Sequence, residues 1–348
     1  MYQRLSISVS NDTIEAPTGY KYEFDDCHSY PLLIIDRGSY LGQSIIDTAI
    51  TVSLDDLTEG IHNLQIGQFS SLSYDLFFTI NRNHDYHRVT MADSKLIPGS
   101  RDYKIKRKGQ ILIQSDVWIG HSCHIKDGVI IHNGALIASN SNVVKDVPPY
   151  AIVGGNPARL LGYRFDNDIV KKLLMIKWWD WSNEKIIENN EWFNKDIEAF
   201  CNQFYDEALE EYLKLDKIDV PRLKSNYLFF ADLLDPYKLW DKVIREFVNT
   251  FCEDSDSLLI VYIDEELASK NNKLVEDFNE YVVSILINKN AKCTVTLCVE
   301  SKKNERAIFK SADYFITNRS YSTVRHSCYA DENNVKIISG VDVPIFGG

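Results

Sequence analysis

Branched aliphatic residues return every six positions through the middle of this chain, at Ile113, Ile119, Ile125, Ile131, Ile137 and Val143. A second file two places earlier runs through Ile111, Val117, Cys123, Val129, Ala135, Ser141 and Val147, and is mostly small or β-branched. An amphipathic helix would repeat near every ~3.6 residues and a half-buried strand every two, and neither period fits. A six-residue period is the pattern of a parallel β-helix. Short strands there turn a branched side chain into a narrow core, and small residues sit where the backbone turns a corner. Gly120, Gly128, Gly134 and the pair Ser139 and Asn140 fall near those corners, where backbone freedom helps. At three strands per coil, residues 111–146 predict two coils. Ile66, Leu72 and Phe78 keep the same spacing, so the coil is expected to begin before residue 66. Segments 31–36 and 45–52 read as short strands upstream.

The period vanishes between Ile80 and Gly109, and the polar segment Asn81-Arg-Asn-His-Asp-Tyr-His-Arg88 lies in that gap. A loop leaving a rigid solenoid is a common seat of function. Val147-Pro-Pro-Tyr150 closes the repeat, and Gly154-Gly-Asn-Pro-Ala158 reads as a turn. Helical spacing follows over 167–200, with Ile169, Leu173, Leu174 and Ile176 on one face. The tryptophans of Trp178-Trp-Asp-Trp181 read as packing across the end of the β-helix. From about 222, segments 227–231, 258–263, 294–299, 314–317 and 335–338 read as buried strands, separated by helical stretches such as 237–251 and 275–287. Such alternation predicts a small parallel sheet with helices on its faces. The expected division is a β-helix over 1–165, a helical cap and linker over 166–221, and an α/β domain over 222–348. No G-x-G-x-x-G or P-loop pattern marks a nucleotide site in the last of these.

Composition narrows the function. Across 348 residues, 50 acidic against 38 basic side chains leave a net charge of -12, which argues against nucleic acid or an anionic membrane as a partner. The seven cysteines are odd in number, scattered and without a CxxC pair, as expected of reduced thiols in the cytoplasm. The first residues hold no apolar run of signal-peptide length, and no stretch is apolar enough to insert in a membrane. His121, His124 and His132 occupy non-core positions of the repeat and are expected to line its outer faces. Without a fourth ligand or a CxxC, they do not indicate zinc, and no metal is expected. The basic run at 104–108 reads either as an anion contact or as a solvated loop.

Segments Asp116-Val-Trp-Ile-Gly120, 134–141, 145–159 and 177–181 resemble the hexapeptide-repeat acyltransferases. Within them they are most similar to the xenobiotic acetyltransferase branch, which includes chloramphenicol and streptogramin acetyltransferases. The resemblance covers roughly 60–190 and is carried most strongly by the Gly-Gly-Asn-Pro-Ala ending. It implies a left-handed parallel β-helix with a helical cap, a homotrimer, and acetyl-CoA or another acyl-CoA bound in a groove between subunits. Asn81-Arg-Asn-His84 matches the family's histidine loop, which places His84 as general base; a solvated loop histidine is the alternative. For CoA, the matching positions are Gly120, Ser139, Lys145, Gly154, Asn156 and Arg159; for Lys145 and Arg159 ordinary surface charge is the alternative.

Two departures shift the acceptor. Asp85-Tyr-His-Arg88 replaces the arginine and aromatic run usual in antibiotic-modifying members, and about 150 further residues follow the cap. A β-helix joined to a small α/β domain is similar to acyltransferases of surface-polysaccharide sugars, such as the N-acyltransferase of the anthrose pathway. That likeness implies transfer of an acyl group to the amine of a nucleotide-linked 4-amino-4,6-dideoxy sugar. Asp85 would anchor the amine, the CoA thiolate would take the last proton, and Asn83, Tyr86 and His87 would meet the acceptor; for His87 a side chain that simply faces solvent is the alternative. O-acetylation of a sugar or antibiotic hydroxyl, or a non-catalytic trimeric scaffold, are the alternatives.

Overall fold

The two hydrophobic files line a three-sided coil. The computed structural model describes residues 2–11, 13, 20–23, 31–49, 63–82, 87, 89–90, 106–235 and 238–347. The chain opens with β1 (Tyr2–Asn11), β2 (Tyr20–Glu23), β3 (Pro31–Ile35) and β4 (Ser39–Ala49). The next coil holds β5 (Asn63–Ile66), β6 (Ser71–Leu72) and β7 (Leu76–Ile80). Then come β8 (Gln110–Ile113), β9 (Trp118–Ile119) and β10 (His124–Lys126), followed by β11 (Ile130–Ile131), β12 (Leu136–Ile137) and β13 (Asn142–Val143). The first part of β4 with β6, β9 and β12 makes one face, the rest of β4 with β7, β10 and β13 a second, and β3, β5, β8 and β11 a third. All neighbours in this stack are parallel, with Ile66, Ile113 and Ile131 in register, as are Leu72, Ile119 and Ile137, and Phe78, Ile125 and Val143.

Both files are buried, all but Ser141 in one hydrophobic core, and the expected two coils over 111–146 and their continuation through Ile66, Leu72 and Phe78 are found. A third file makes the corners: Asp116, Ser122, Gly128, Gly134 and Asn140, again six apart, all have φ between 56° and 72°. Glycine and asparagine adopt that left-handed conformation at least cost. Gly120 is different. It ends a strand, and a Cβ there would lie 2.6 Å from Ser139 Oγ and 2.7 Å from its backbone nitrogen. Close approach of two coils requires this glycine, not backbone freedom. The strand expected at 45–52 begins earlier, at Ser39, because β4 bends round a corner and pairs with both β6 and β7; residues 50–52 lie outside the described residues. β1 runs antiparallel to β4.

After Val147, β14 (Ala151–Gly155) joins the first face and β15 (Ala158–Tyr163) folds back antiparallel upon it. Three helices follow, α1 (Asn167–Ile176), α2 (Asn183–Glu188) and α3 (Ile197–Leu213). The side chains of Asp166, Ser182 and Asp196 cap their first turns, so each start is set by a local signal in the sequence. The apolar face of α1 packs with Tyr150, Trp181, Phe200 and Phe204, and Trp178 packs on Phe69 of the coil at 5.0 Å between centroids. The tryptophans therefore pack as expected of large apolar side chains, but along a corner of the coil, from Arg37 past Phe69 to Tyr150, and not across its end. Arg37, between β3 and β4, ties the cap to the coil by donating to the carbonyls of Trp179 and Trp181.

The last third alternates strands with helices: β16 (Ser225–Phe230), α4 (Leu239–Thr250), β17 (Ser257–Asp264), α5 (Glu265–Lys270), α6 (Asn272–Lys289), β18 (Thr294–Glu300), β19 (Tyr314–Thr317), α7 (Ser322–Glu332) and β20 (Lys336–Ser339). The five strands form a wholly parallel sheet in the order β18-β17-β16-β19-β20. Apolar side chains on both faces are buried in separate clusters. Each expected strand is present within about two residues; α5 had no counterpart in the expectation.

This unit seals the third face of the coil. Outward-pointing Gln110 bonds to Asn63, to the carbonyl of Asn318 and to the Thr317 hydroxyl. Gln114 donates to Ser327 and Asp331 at 3.0 and 2.8 Å. His132 points outward from the coil, as expected, but does not face solvent: its Nδ1 lies 2.7 Å from Asp331. Of the basic run at 104–108, residues 104 and 105 lie outside the described residues; Lys106 donates to the carbonyl of Ile345 and the backbone of Arg107 bridges to Val343.

Burial opposes the charge on His132, but the adjacent Asp331 carboxylate, aided by Asp146, outweighs it and raises the imidazole pKa. A raised folded-state pKa means stability that is present in full below the unfolded value of about 6.5 and is lost as pH rises through the folded one. Urea midpoints measured against pH should therefore show a wild-type advantage over His132→Gln on the acid side that narrows at higher pH.

Candidate active site

The interruption after β7 leaves the coil from a braced root. Asn81 adopts φ 54°, its backbone N–H donates to Asp127 at 3.2 Å, and Arg82 pairs with Asp47 of β4 at 3.4 Å. Loops held at their base by rigid strands present side chains in repeatable positions. The catalytic candidates His84 and Asp85, with Asn83 and Tyr86, lie outside the described residues. His87 is exposed.

The second face beside this root carries a polar row. His124 of β10 stands opposite Phe77, and its Nε2 lies 2.7 Å from the hydroxyl of Thr79. Burial first, and the nearby Lys126 second, hold its pKa below the ordinary imidazole value against the pull of Asp47. The ring is therefore neutral near pH 7. One strand further, Asn142 donates to Asn156 at 3.0 Å across the last turn.

The corner joining the first and second faces is built from minimal side chains. Gly120 donates its N–H to the carbonyl of Ile137, and Ala138 donates to that of Val153. The register of β9, β12 and β14 then aligns Gly120, Ala138 and Gly154 in a column. A Cβ on Gly154 would come within 3.1 Å of the methyl of Ala138. Ser139 is exposed beside this column, and Ser141 accepts from Gly155 N–H at 3.1 Å. The Gly155-Asn156-Pro157 turn uses φ +98° at Gly155 and a cis bond before Pro157. The N–H groups of Gly120, Ala138 and Gly155 are thus spent within the coil, and what the corner offers a ligand is close approach to the backbone past minimal side chains.

Of the expected CoA residues, the structure thus gathers Gly120, Ser139, Gly154 and Asn156 at one corner. Lys145 and Arg159 are both exposed, and Arg159 donates to the carbonyl of Ala158. Two neighbours had no assigned role. Trp118 is 54% exposed on β9, and His124 lies six residues on in the same outward file. The signal for both was their place one residue before an inward isoleucine, where large or titratable side chains must face outward.

Gly120→Ala is expected to force Ser139 or its backbone aside, costing about 1–3 kcal/mol in urea unfolding and weakening CoA binding by calorimetry.

No family model matches the chain. A probable macrolide acetyltransferase of Lysinibacillus sphaericus is 35% identical over 165 residues, 45% of this chain and 87% of that protein. A chloramphenicol acetyltransferase of Escherichia coli is 38% identical over 159 residues, 43% of this chain and 74% of that protein. The chain belongs to the hexapeptide-repeat acetyltransferase family. Among solved structures, a hexapeptide-repeat acetyltransferase of Vibrio cholerae O1 biovar eltor complexed with acetyl-coenzyme A is 33% identical, matching 30% of this chain and 47% of that one with a TM-score of 0.20. The chain spans about half the length of the solved structures it matches. As an acetyltransferase it uses acyl-CoA as co-substrate, and more than half of its length lies outside the curated matches. Among the described residues no helix is long and apolar enough to cross a membrane.

Proposed function

We propose that this acetyltransferase is an N-acyltransferase that acylates the amino group of a nucleotide-linked 4-amino-4,6-dideoxy sugar. On this reading the β-helix winds left-handed and three copies associate. Acyl-CoA lies along the corner of Gly120, Ser139, Gly154 and Asn156, and Lys145 and Arg159 meet its phosphates or pantetheine. Asn83, His84, Asp85, Tyr86 and His87 reach the acceptor from the neighbouring loop. The observation that carries the acyl-CoA placement is the small-residue column, set across one face from the root of that loop. Trimerisation is supported by exposed apolar side chains on the first face and its hairpin, Trp118, Leu160, Leu161 and Tyr163, because contiguous exposed apolar surface marks association sites. An α/β unit sealed onto the coil supports a larger acceptor than a free antibiotic.

In the reaction the acceptor nitrogen attacks the thioester carbonyl, the C–S bond breaks, and the CoA thiolate leaves. An amine that has lost its excess proton attacks unaided, and the thiolate takes the proton released from the tetrahedral adduct. Asp85 would hold the amine in place. A hydroxyl acceptor instead needs a base such as His84. O-acetylation remains the second reading, because the relatives are acetyltransferases named for chloramphenicol and macrolides. Turnover with a dTDP-linked 4-amino sugar against its 4-hydroxy analogue separates the two. The amine is expected to react faster; faster reaction of the hydroxy compound overturns N-acylation. Light scattering is expected to find a particle of three chains.

A further inference from the structure

The parallel sheet of the C-terminal unit has its own crevice, remote in kind from the acyl-transfer corner. Its strand order reverses at β16: the chain adds β17 and β18 on one side, then returns to place β19 on the other. Loops leaving adjacent strands in opposite directions open a gap at their carboxyl ends, where open α/β sheets bind ligands. A cleft of about 430 Å³ occupies that position, large enough for a small ring compound.

Its floor is aromatic, and its buried polar groups are short of donors. Phe230 at the end of β16 and Tyr262 near the end of β17 line it, and the imidazole of His326 stacks on Phe230 at 3.8 Å between centroids. His326 is 1% exposed, and its Nε2 lies 3.1 Å from the Glu305 carboxylate. A carboxylate accepts, so Nε2 carries the hydrogen, and in the neutral ring Nδ1 is an acceptor. Among the described residues, Nδ1 has no hydrogen-bond partner. Asp264 shows the same shortage. One carboxylate oxygen caps α5 through Glu266 and Leu267, while the other, also buried, faces only the Lys302 ammonium at 3.6 Å and has no hydrogen-bond partner among the described residues. Leaving buried polar atoms unsatisfied is costly, and both side chains belong to the wall of one cleft, so a ligand that supplies donors there would satisfy them.

We propose that this cleft is a second ligand site, taking a small ring compound with adjacent hydroxyl groups: a pyranose, or the ribose of a nucleoside. One hydroxyl donates to His326 Nδ1, another to Asp264, and the ring's apolar face lies on Phe230 and Tyr262. The proposal rests on the α/β unit alone and stands whether the acyl acceptor is an amine or a hydroxyl.

Calorimetry and saturation-transfer NMR on the full chain with uridine, 2′-deoxyuridine, glucose and 2-deoxyglucose test it. Uridine or glucose is expected to bind, and its deoxy partner about tenfold more weakly, the cost of one hydrogen bond to a buried acceptor. Binding of uridine alone assigns a riboside, and binding of glucose alone a free sugar. Ser322→Trp, at the rim of the cleft, is expected to abolish binding at an unchanged melting temperature. His326→Phe keeps the stack on Phe230 and is expected to erase the preference for the diol. Failure of both diols to bind, equal binding of the deoxy partners, or undiminished binding by a folded Ser322→Trp protein overturns the proposal; the last would place the sugar at the acyl-transfer corner.

Discussion

His84→Ala is expected to lower kcat with a hydroxyl acceptor by about 10²–10⁴-fold, the usual contribution of a positioned general base, and to lower it far less with an amine. The asymmetry follows from the nucleophiles. A hydroxyl keeps its proton until the transition state and needs a base within reach, whereas a neutral amine already presents its lone pair. The proton it sheds after attack can go to the departing thiolate. Asp85→Asn should show the opposite pattern, raising KM for the amine by weakening a charge-assisted contact while leaving hydroxyl transfer nearly untouched. The loop root at Asn81 and Arg82 is braced by Asp127 and Asp47, so neither substitution should disturb the coil, and melting temperatures should match wild type. Steady-state kinetics of both variants on a matched pair of 4-amino and 4-hydroxy sugar nucleotides read the result directly. Equal losses on both acceptors after His84→Ala would rule out the thiolate as sole proton acceptor for the amine.

The coil was legible in the sequence because its inward positions admit little but branched or small side chains. Ile113, Ile119 and Ile125 keep their spacing because each lies against the next coil's equivalent. The strands of the α/β unit were legible for a similar reason: buried on both sides, they read as near-continuous apolar runs. What stood outside the coil was ambiguous. Gln110, Gln114 and His132 are polar residues at outward positions, and such a residue looks the same whether it faces water or a packed neighbour. Only the partners, Thr317, Ser327 and Asp331, some 200 residues away, decide it. Gly120 was misread by the same limit: a glycine demanded by a coil 18 residues further on resembles one demanded by its own φ. At the candidate site, the small-residue corner could be anticipated from the repeat and the terminal Gly-Gly-Asn-Pro turn. The half-exposed Trp118 and the Thr79–His124 pair depend on which strands stack, which periodicity alone does not state.

The contact between cap and α/β unit should prove the most expensive to break. Lys177, between α1 and the tryptophan segment, is 4% exposed and pairs with Glu332 of α7 at 2.9 Å. Arg306 donates to the same carboxylate through Nε at 3.0 Å. Glu332→Ala leaves the buried Lys177 and the partly buried Arg306 without the carboxylate they pair with, only Asp180 remaining nearby, a change that costs about 3–5 kcal/mol when a buried pair loses one member. Removing the exposed Glu266 from its pair with Lys270 should cost under about 1 kcal/mol. Denaturant midpoints of the two variants make the comparison. The pH dependence identifies the cause. Burial already pulls the Lys177 pKa below its ordinary value, and Glu332 opposes that shift. Without Glu332 the folded-state value falls further below the unfolded one of about 10.4. The unfolded chain then holds more protons than the folded one, so stability rises with pH. Glu332→Ala should therefore regain part of its loss as pH is raised from 7 toward 10, whereas a deficit due to lost packing alone would stay constant.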